Sequence, residues 1–330
     1  MITKSNEIEL GEYDSFLIEV IKNLDNFPSK KGGEGAAYFI DDRFVVKEYI
    51  KQNPCIKEEI FDEMFPYYFQ EMKEFAEKGC SVPKLYSWVK IPNSNWLMVR
   101  RSEHEMPFKY YVLQERVQGR NLYYDIDVID ESYVLFKNLC AFEDFSHMSD
   151  NLNFGDDALR VEVLKTYIKD YIMVNEMLES MPENEMEKFI LSGHEMFLNG
   201  KYSVPDIYRG NVIIDSSKLS IIDNRMLEPW RGSLPWDNCN ESLFNDILML
   251  LYLNTSARDC IFTRRSDFGS SEELVKLQKQ NQKICAEVFK KIIEIFKSRL
   301  HMKPLEQNSI KKMYIKRILK EDSDEVLSMI

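Results

Sequence analysis

The sequence predicts an α+β chain with a small antiparallel sheet toward the front and a larger, mainly helical second part. Three observations predict it. Short β-forming runs crowd the first third, the pattern from Asp157 onward is mainly helical in period, and no internal repeat or low-complexity linker intervenes. A chain of 330 residues that is 44% hydrophobic and 12% aromatic buries a sizeable core, enough for two lobes. The expected division is a lobe over 1–117 and a second over 118–330, with the polar joint near Gly119.

The elements are expected in this order. "SFLIEVIKNL" has helical spacing. In "GGEGAAYFIDDRFVVKEYI", Tyr38 to Ile40 and Phe44 to Val46 are β-formers on either side of the turn cluster Asp41-Asp42-Arg43. A helix comes next and runs to Glu77, with Pro66 expected to open its main part at the first turn. "KLYSWVKI", "NWLMVRR" and "YYVLQERV" are three further strands. The last runs into the polar joint at Gly119, and helices dominate the rest of the chain.

Charge and cysteine usage narrow the function. A formal net charge of -12 argues against a generic phosphate-backbone binder and suits a cationic partner, so no nucleic acid is expected. The six cysteines are far apart with no CxxC pair, and the opening "MITKSNEIELGEYD" has no apolar signal-peptide core, so a cytoplasmic setting is expected. The most apolar run, "LFNDILMLLYL", is interrupted by Asn245 and Asp246 and is shorter than the roughly 20 residues of a membrane span, so no transmembrane segment is expected. His104, His147, His194 and His301 have no ligand spacing, which leaves zinc without support.

The stretch "SVPDIYRGNVIIDSSKLSIIDN", residues 203–224, carries the chemistry. Asn211 to Ile214, the turn Ser216-Ser217-Lys218 and Leu219 to Ile222 read as a hairpin, so Asn211 and Asp223 fall at its two open ends on one side. Asp206 lies five residues before Asn211, across a loop whose Gly210 permits a tight turn. Three oxygen-bearing side chains then converge, a donor set that suits Mg²⁺ with substrate phosphates. Taken singly, each residue also reads as a turn cap or a strand end.

This order of residues, D-x-x-x-x-N, a hairpin, then an apolar run ending in Asp, resembles the catalytic and metal-binding loops of the protein-kinase-like superfamily. "PDIYRGN" and "IIDN" are similar in style to its aminoglycoside phosphotransferase and choline kinase branch. The resemblance implies a bilobal fold and four features upstream, and "KGGEGAAYFI" supplies the first with Gly32, Gly33 and Gly35, whose amides would approach a nucleotide's phosphates. Lys47 ends "RFVVK", as the phosphate-holding Lys of that superfamily does. Glu71 shares the inward stripe of its helix with Met64, Tyr68 and Phe75, and a carboxylate there wants a cation, for which Lys47 is the natural candidate and Glu63 and Glu74 the fallback carboxylates. "YYVLQERVQGRNL" resembles the adenine-pairing joint: Gln114 would guard the pocket, the Glu115 carbonyl would accept from the adenine, and the Val117 amide would donate to it.

The resemblance spans roughly residues 30–250 and departs from the pattern in places. Val204 stands where a His usually precedes the catalytic Asp, Asn224 and Arg225 replace the usual aromatic after the metal Asp, and Tyr208 stands in place of a Lys, with Arg209 next door as the substitute cation. Only 23 positions separate Asp223 from Asp246, which favours a small-molecule kinase over a regulated protein kinase.

The resemblance implies transfer of the γ-phosphate of ATP to a hydroxyl, with Asp206 as base, Asn211 and Asp223 on Mg²⁺, and Lys47, Glu71 and Arg209 around the phosphates. The acceptor would be an aminoglycoside, sugar or amino alcohol. A compact Ser/Thr protein kinase and a binding-only pseudokinase are the alternatives. The acidic stretches "YYDIDVIDESY" and "CAFEDFSHMSDNLNFGDD" either draw a cationic acceptor or form a solvated face.

Overall fold

The computed structural model describes residues 11–31, 35–51, 58–92, 105–121, 165, 169, 172–207, 211–226, 243, 246–247 and 272–301. Helix α1 (Glu12–Lys22) opens at Gly11, whose N–H donates to the Asp14 carboxylate at 3.0 Å, with Glu12 and Asp14 in the positive first turn. Strands β1 (Ser29–Lys31), β2 (Gly35–Phe39) and β3 (Phe44–Lys51) come after it. Then come helix α2 (Glu58–Glu77) and strands β4 (Leu85–Pro92) and β5 (Glu105–Glu115). All five strands form one antiparallel sheet in the order β1-β2-β3-β5-β4. The turn between β2 and β3 is held by Asp41, whose Oδ1 accepts from the N–H groups of Arg43 and Phe44 at 2.7 and 2.8 Å.

The sheet is buried on both faces, which is why "YYVL" in β5 reads as a continuous apolar run. One face, with Phe44, Val46, Tyr111 and Leu113, packs on Leu17 and Val20 of α1. The other, with Leu85, Tyr110 and Val112, packs on Phe61, Phe65 and Phe75 of α2. That second core runs without a break into the helical half.

There, residues 172–180 are helical, and α3 (Glu183–Asn199) and α4 (Glu272–Arg299) come after them. Phe189 and Ile190 of α3 and Phe289, Ile292 and Phe296 of α4 belong to the same core. Leu243 and Ile247 lie in the run "LFNDILMLLYL"; they are helical and buried. Between α3 and α4 the chain forms short strands: β7 (Ser203–Pro205), β8 (Val212–Ile214), β9 (Leu219–Ile221) and β10 (Asn224–Met226). Strand β6 (Arg120–Asn121) joins β8 and β9 in a three-stranded sheet of order β6-β8-β9, while β7 and β10 pair as a separate ribbon. The α+β class, with a small antiparallel-sheet lobe leading into a mainly helical one, is as expected.

One expectation is corrected. Pro66 does not open the main helix but sits inside α2, eight residues after Glu58. Pro66 faces solvent while Phe61, Met64, Phe65, Tyr68 and Phe69 on either side are all buried, and that apolar face outweighs the loss of one helical hydrogen bond. The expected strand "NWLMVRR" and the tail "SIKKMYIKRILKEDSDEVLSMI" lie outside the described residues. Among the described residues no helix is long and apolar enough to cross a membrane. Cys80 and Cys285 are in no disulfide among the described residues.

Two acids, the buried Glu48 and the exposed Asp62, tie the sheet to its surroundings. Glu48 points to the α1 face and accepts from Lys109 Nζ at 2.8 Å, Tyr111 OH at 2.8 Å and Tyr38 OH at 3.0 Å. Burial first, then the Glu48 charge and hydrogen bond, push Tyr38 up to about 12, so it stays a donor. Glu48→Ala leaves the Lys109 ammonium and two hydroxyls without their acceptor, and urea unfolding should show a loss of about 3–5 kcal/mol.

On the other face, Asp62 of α2 accepts from Lys90 of β4 and Tyr110 of β5. Burial opposes its charge, but these hydrogen bonds and the Lys90 ammonium outweigh burial and hold the carboxyl below its ordinary 3.8. A carboxyl depressed in the folded state stabilises it fully above the unfolded value and loses that contribution as pH falls toward the folded one. The stability gap between the wild type and Asp62→Asn should therefore narrow as pH is lowered from about 6 to about 3, measured by denaturant titration.

Candidate active site

Two antiparallel registers assemble the site. In the β7–β10 ribbon, Pro205 lies opposite Asn224, so Asp206 and Asp223, the next residues outward, leave the ribbon side by side at one end. In the β8–β9 hairpin, the Asp215 N–H donates to the Lys218 carbonyl at 3.0 Å and closes the turn, and at the open end the Ile222 N–H donates to the Asn211 carbonyl at 2.8 Å. Asn211 is thereby placed beside Asp223. Its Nδ2 also donates to Asp206 Oδ2 at 2.9 Å, which leaves the amide oxygen, a hard donor, for another partner.

Lys47 joins them from the sheet. It stands opposite Val112 in the β3–β5 register, on the face turned toward α2. Its ammonium lies 3.1 Å from Asp223 Oδ1 and donates to the Ile222 carbonyl at 2.7 Å, across a separation of 175 residues. Asp223 Oδ1 accepts in turn from the Asn224 N–H at 3.1 Å. Lys47–Asp223 and Asn211–Asp206 are thus two polar pairs, linked through the backbone hydrogen bond between Ile222 and Asn211. The sequence places them there by motif order alone.

Behind the cluster is a cavity of about 20 Å³ lined by Lys47, Asp223, Asn224, Leu85, Val112 and Gln114, with Tyr68, Phe69 and Met72 of α2 at its back. That is room for a water or two. Gln114 is buried on β5 and lines it. Glu115 is engaged with β4: its N–H donates to the Lys84 carbonyl at 2.8 Å and its carboxylate accepts from the Lys84 N–H at 3.1 Å. Val117 comes next in the joint, half-buried.

The joint then turns at Gly119, whose φ of 122° is open to glycine and strained for other residues. A Cβ there would also meet the Ile214 carbonyl oxygen at 2.5 Å, because the chain passes directly over β8 before pairing with it as β6.

Glu71 departs from expectation. It does not reach Lys47. Its carboxylate accepts from the Lys201 N–H at 2.6 Å, the Tyr202 N–H at 2.7 Å and the Ser203 hydroxyl at 3.4 Å. Burial pushes the Glu71 carboxyl up from its ordinary value against the pull of these hydrogen bonds. The residue is inward-facing, as its position in the stripe predicts, but it faces the strand leading to Asp206 and not the sheet. Neither fallback takes its place: Glu63 is exposed, and Glu74 accepts from Gln70 on its own helix at 3.1 Å.

Gly35 also has a structural reason of its own. It pairs with Tyr49 at the start of β2, where a Cβ would run into the Glu48 backbone carbonyl. Gly32, Gly33, Tyr208, Arg209 and both acidic stretches lie outside the described residues. Sequence reasoning missed the β7–β10 ribbon and Asn224, a buried amide whose Oδ1 has no hydrogen-bond partner and which lines the cavity. The position of Asn224 directly after Asp223 was the available signal.

The chain matches no protein-family model and no curated protein. Among solved structures it matches the aminoglycoside phosphotransferase APH(3'')-Id from Streptomyces rimosus ATCC10970 with a TM-score of 0.29 and 9% sequence identity, over 84% of this chain and 97% of that one. At so low a TM-score, the fold rests on the strand order and registers of the sheets themselves.

The closeness of Gly119 to β8 is open to direct test. Gly119→Ala should lower stability by more than about 1 kcal/mol in urea unfolding, because the left-handed backbone and the Ile214 carbonyl both resist a methyl group.

Proposed function

We propose that the chain is an ATP-dependent phosphotransferase that moves the γ-phosphate to a hydroxyl of a small molecule, an aminoglycoside, sugar or amino alcohol. One observation carries this reading: Lys47 reaches from the sheet to Asp223, 3.1 Å away, beside the Asp206–Asn211 pair. A cation set beside a carboxylate, with a second carboxylate and an amide next to them, is the arrangement that holds a polyanion together with a divalent metal. The division into lobes over 1–117 and 118–330 belongs to the same proposal.

The donors fit Mg²⁺. Two carboxylates and an amide oxygen are hard ligands, and Mg²⁺ takes one or two carboxylates plus substrate phosphates in place of an all-protein cage. Among the described residues no cluster of three or more His, Cys, Asp or Glu could hold an ion alone. Asp223 and Asn211 would hold the metal, and the bound ion would supply the charge that neutralises the phosphate oxygens in the transition state.

The remaining work falls to the chain. Asp206 orients the acceptor hydroxyl and takes its proton as the oxygen attacks the γ-phosphorus, the bond to the leaving ADP oxygen breaking in line. Lys47 holds the α- and β-phosphates, with Gly32, Gly33 and Gly35 covering them and Arg209 as a further cation on the transferring group. Gln114, Glu115 and Val117 bound the adenine side. The net charge of -12 suits an amine-bearing acceptor.

Labelled ATP with Mg²⁺, incubated with pooled aminoglycosides, sugars and amino alcohols and separately with a protein lysate, tests the reading. Label should pass to a small molecule, and Asp206→Asn should slow transfer by roughly 10²- to 10⁴-fold with its melting temperature little changed. Label on protein alone would favour a protein kinase. No transfer together with no rise in melting temperature at saturating ATP and Mg²⁺ would overturn the proposal.

A further inference from the structure

The β7–β10 ribbon is a weak element in a demanding place. Among the described residues it has three residue pairs and no third strand, and Pro205, opposite Asn224, has no N–H to give to the ladder. Two-stranded ribbons of that length are marginal in water. Yet its one end presents both Asp206 and Asp223, so any change in its pairing changes the distance between the two carboxylates.

Helix α2 grips it at three points within about one turn. Tyr67 stacks on Tyr202, with ring centroids 5.2 Å apart and planes 17° apart. Tyr68 OH donates to the Asn224 carbonyl at 3.2 Å, at the first residue of β10. Glu71 takes the N–H groups of Lys201 and Tyr202 and the hydroxyl of Ser203, at the first residue of β7. Residues 67 and 71 are four apart and 68 and 71 three apart, so one face of α2 meets both strands. More than one turn earlier, the same helix meets the sheet where Asp62 accepts from Lys90 and Tyr110.

We infer that Tyr68 and Glu71 are positioning residues, which set the spacing of Asp206 and Asp223 by bracing the two strands that end in them against α2. A charged carboxylate is suited to the task because it accepts from two amides at once, whereas an amide side chain would turn one N–H₂ toward a backbone N–H. For the carboxylates to matter as metal and hydroxyl ligands, the inference rests on the phosphotransferase reading; the brace itself does not.

Two variants that keep the shape of the side chain, Glu71→Gln and Tyr68→Phe, test it on the full chain in two arms. Amide hydrogen exchange on the free protein should become about tenfold faster in both strands, at Ser203 and Val204 and at 224–226, in either variant. Faster exchange confined to the strand each side chain touches would overturn the brace, since the strands would then not be held as a unit. In the second arm, calorimetry compares ATP binding with Mg²⁺ and with EDTA. The gain in affinity that Mg²⁺ gives the wild type should shrink about tenfold in each variant, with metal-free ATP binding unchanged.

A variant that melts lower but keeps the full Mg²⁺ gain would show a merely structural contact and overturn the positioning role. If the wild type binds no ATP in either condition while exchange rises in both strands, the phosphotransferase reading falls and the brace stands.

Discussion

The hydrogen bond from the Ile222 N–H to the Asn211 carbonyl, 2.8 Å long, closes the open end of the β8–β9 hairpin, and the rest of the site depends on the register it represents. One residue further along, Asp223 leaves the hairpin and the chain enters β10, whose pairing with β7 brings Asp206 back alongside. The same segment therefore belongs to two antiparallel pairings in succession, with Asp223 at the crossing. A slip of one residue in either would turn Asp223 to the other face and remove it from Lys47. The Lys47 ammonium guards against that slip, because it takes both the Ile222 carbonyl and the Asp223 carboxylate.

Short strands do not hold such a register by themselves. The hairpin is secured by burial: Val212, Ile214, Leu219 and Ile221 are all within the large core shared by α2, α3 and α4. At roughly 1.5–3 kcal/mol for each fully buried aliphatic side chain, these four outweigh what two ladders of three pairs could supply. The ribbon has less of this support. Val204 and Met226 are only partly buried against the core, and the ribbon is braced instead by hydrogen bonds from α2. Where a His is usual before the catalytic Asp in the superfamily that the sequence resembles, Val204 contributes packing and no hydrogen bond.

Much of this was legible in the sequence, for identifiable reasons. The turn at Asp41-Asp42-Arg43 was visible because an Asp that caps its own turn lies between two β-forming runs, and the hairpin at 212–221 because polar turn residues separate two apolar triplets. Glu71 was correctly placed on the inward stripe of its helix. Its partner was not foreseeable, since periodicity gives the face of a helix but not how far the helix slides along the sheet. Pro66 misled because its local preference for a first turn was overridden by aromatic burial on both sides. The ribbon was invisible for a third reason: "SVP" and "NRM" are too short, and too poor in β-formers, to carry a period. Gly35 shows the converse, a glycine in a suggestive motif that the sheet already requires.

The placement of Glu71 alters the electrostatics around Lys47. Had it paired with Lys47, that ammonium would be neutralised from the helix, and Asp223 would stand as an uncompensated carboxylate. Instead Lys47, with a side chain only 13% exposed, has Asp223 as its ion-pair partner among the described residues, and the Asp223 side chain is 42% exposed. A cation that buried needs an anion close by, and Asp223 fills that need while staying partly open to solvent. In the proposed reaction the phosphates and their metal would share this pair, the ammonium turning to phosphate oxygens and the carboxylate to the ion. Each group would then exchange one oppositely charged partner for another, so the buried Lys47 ammonium is not left without an anion at any stage.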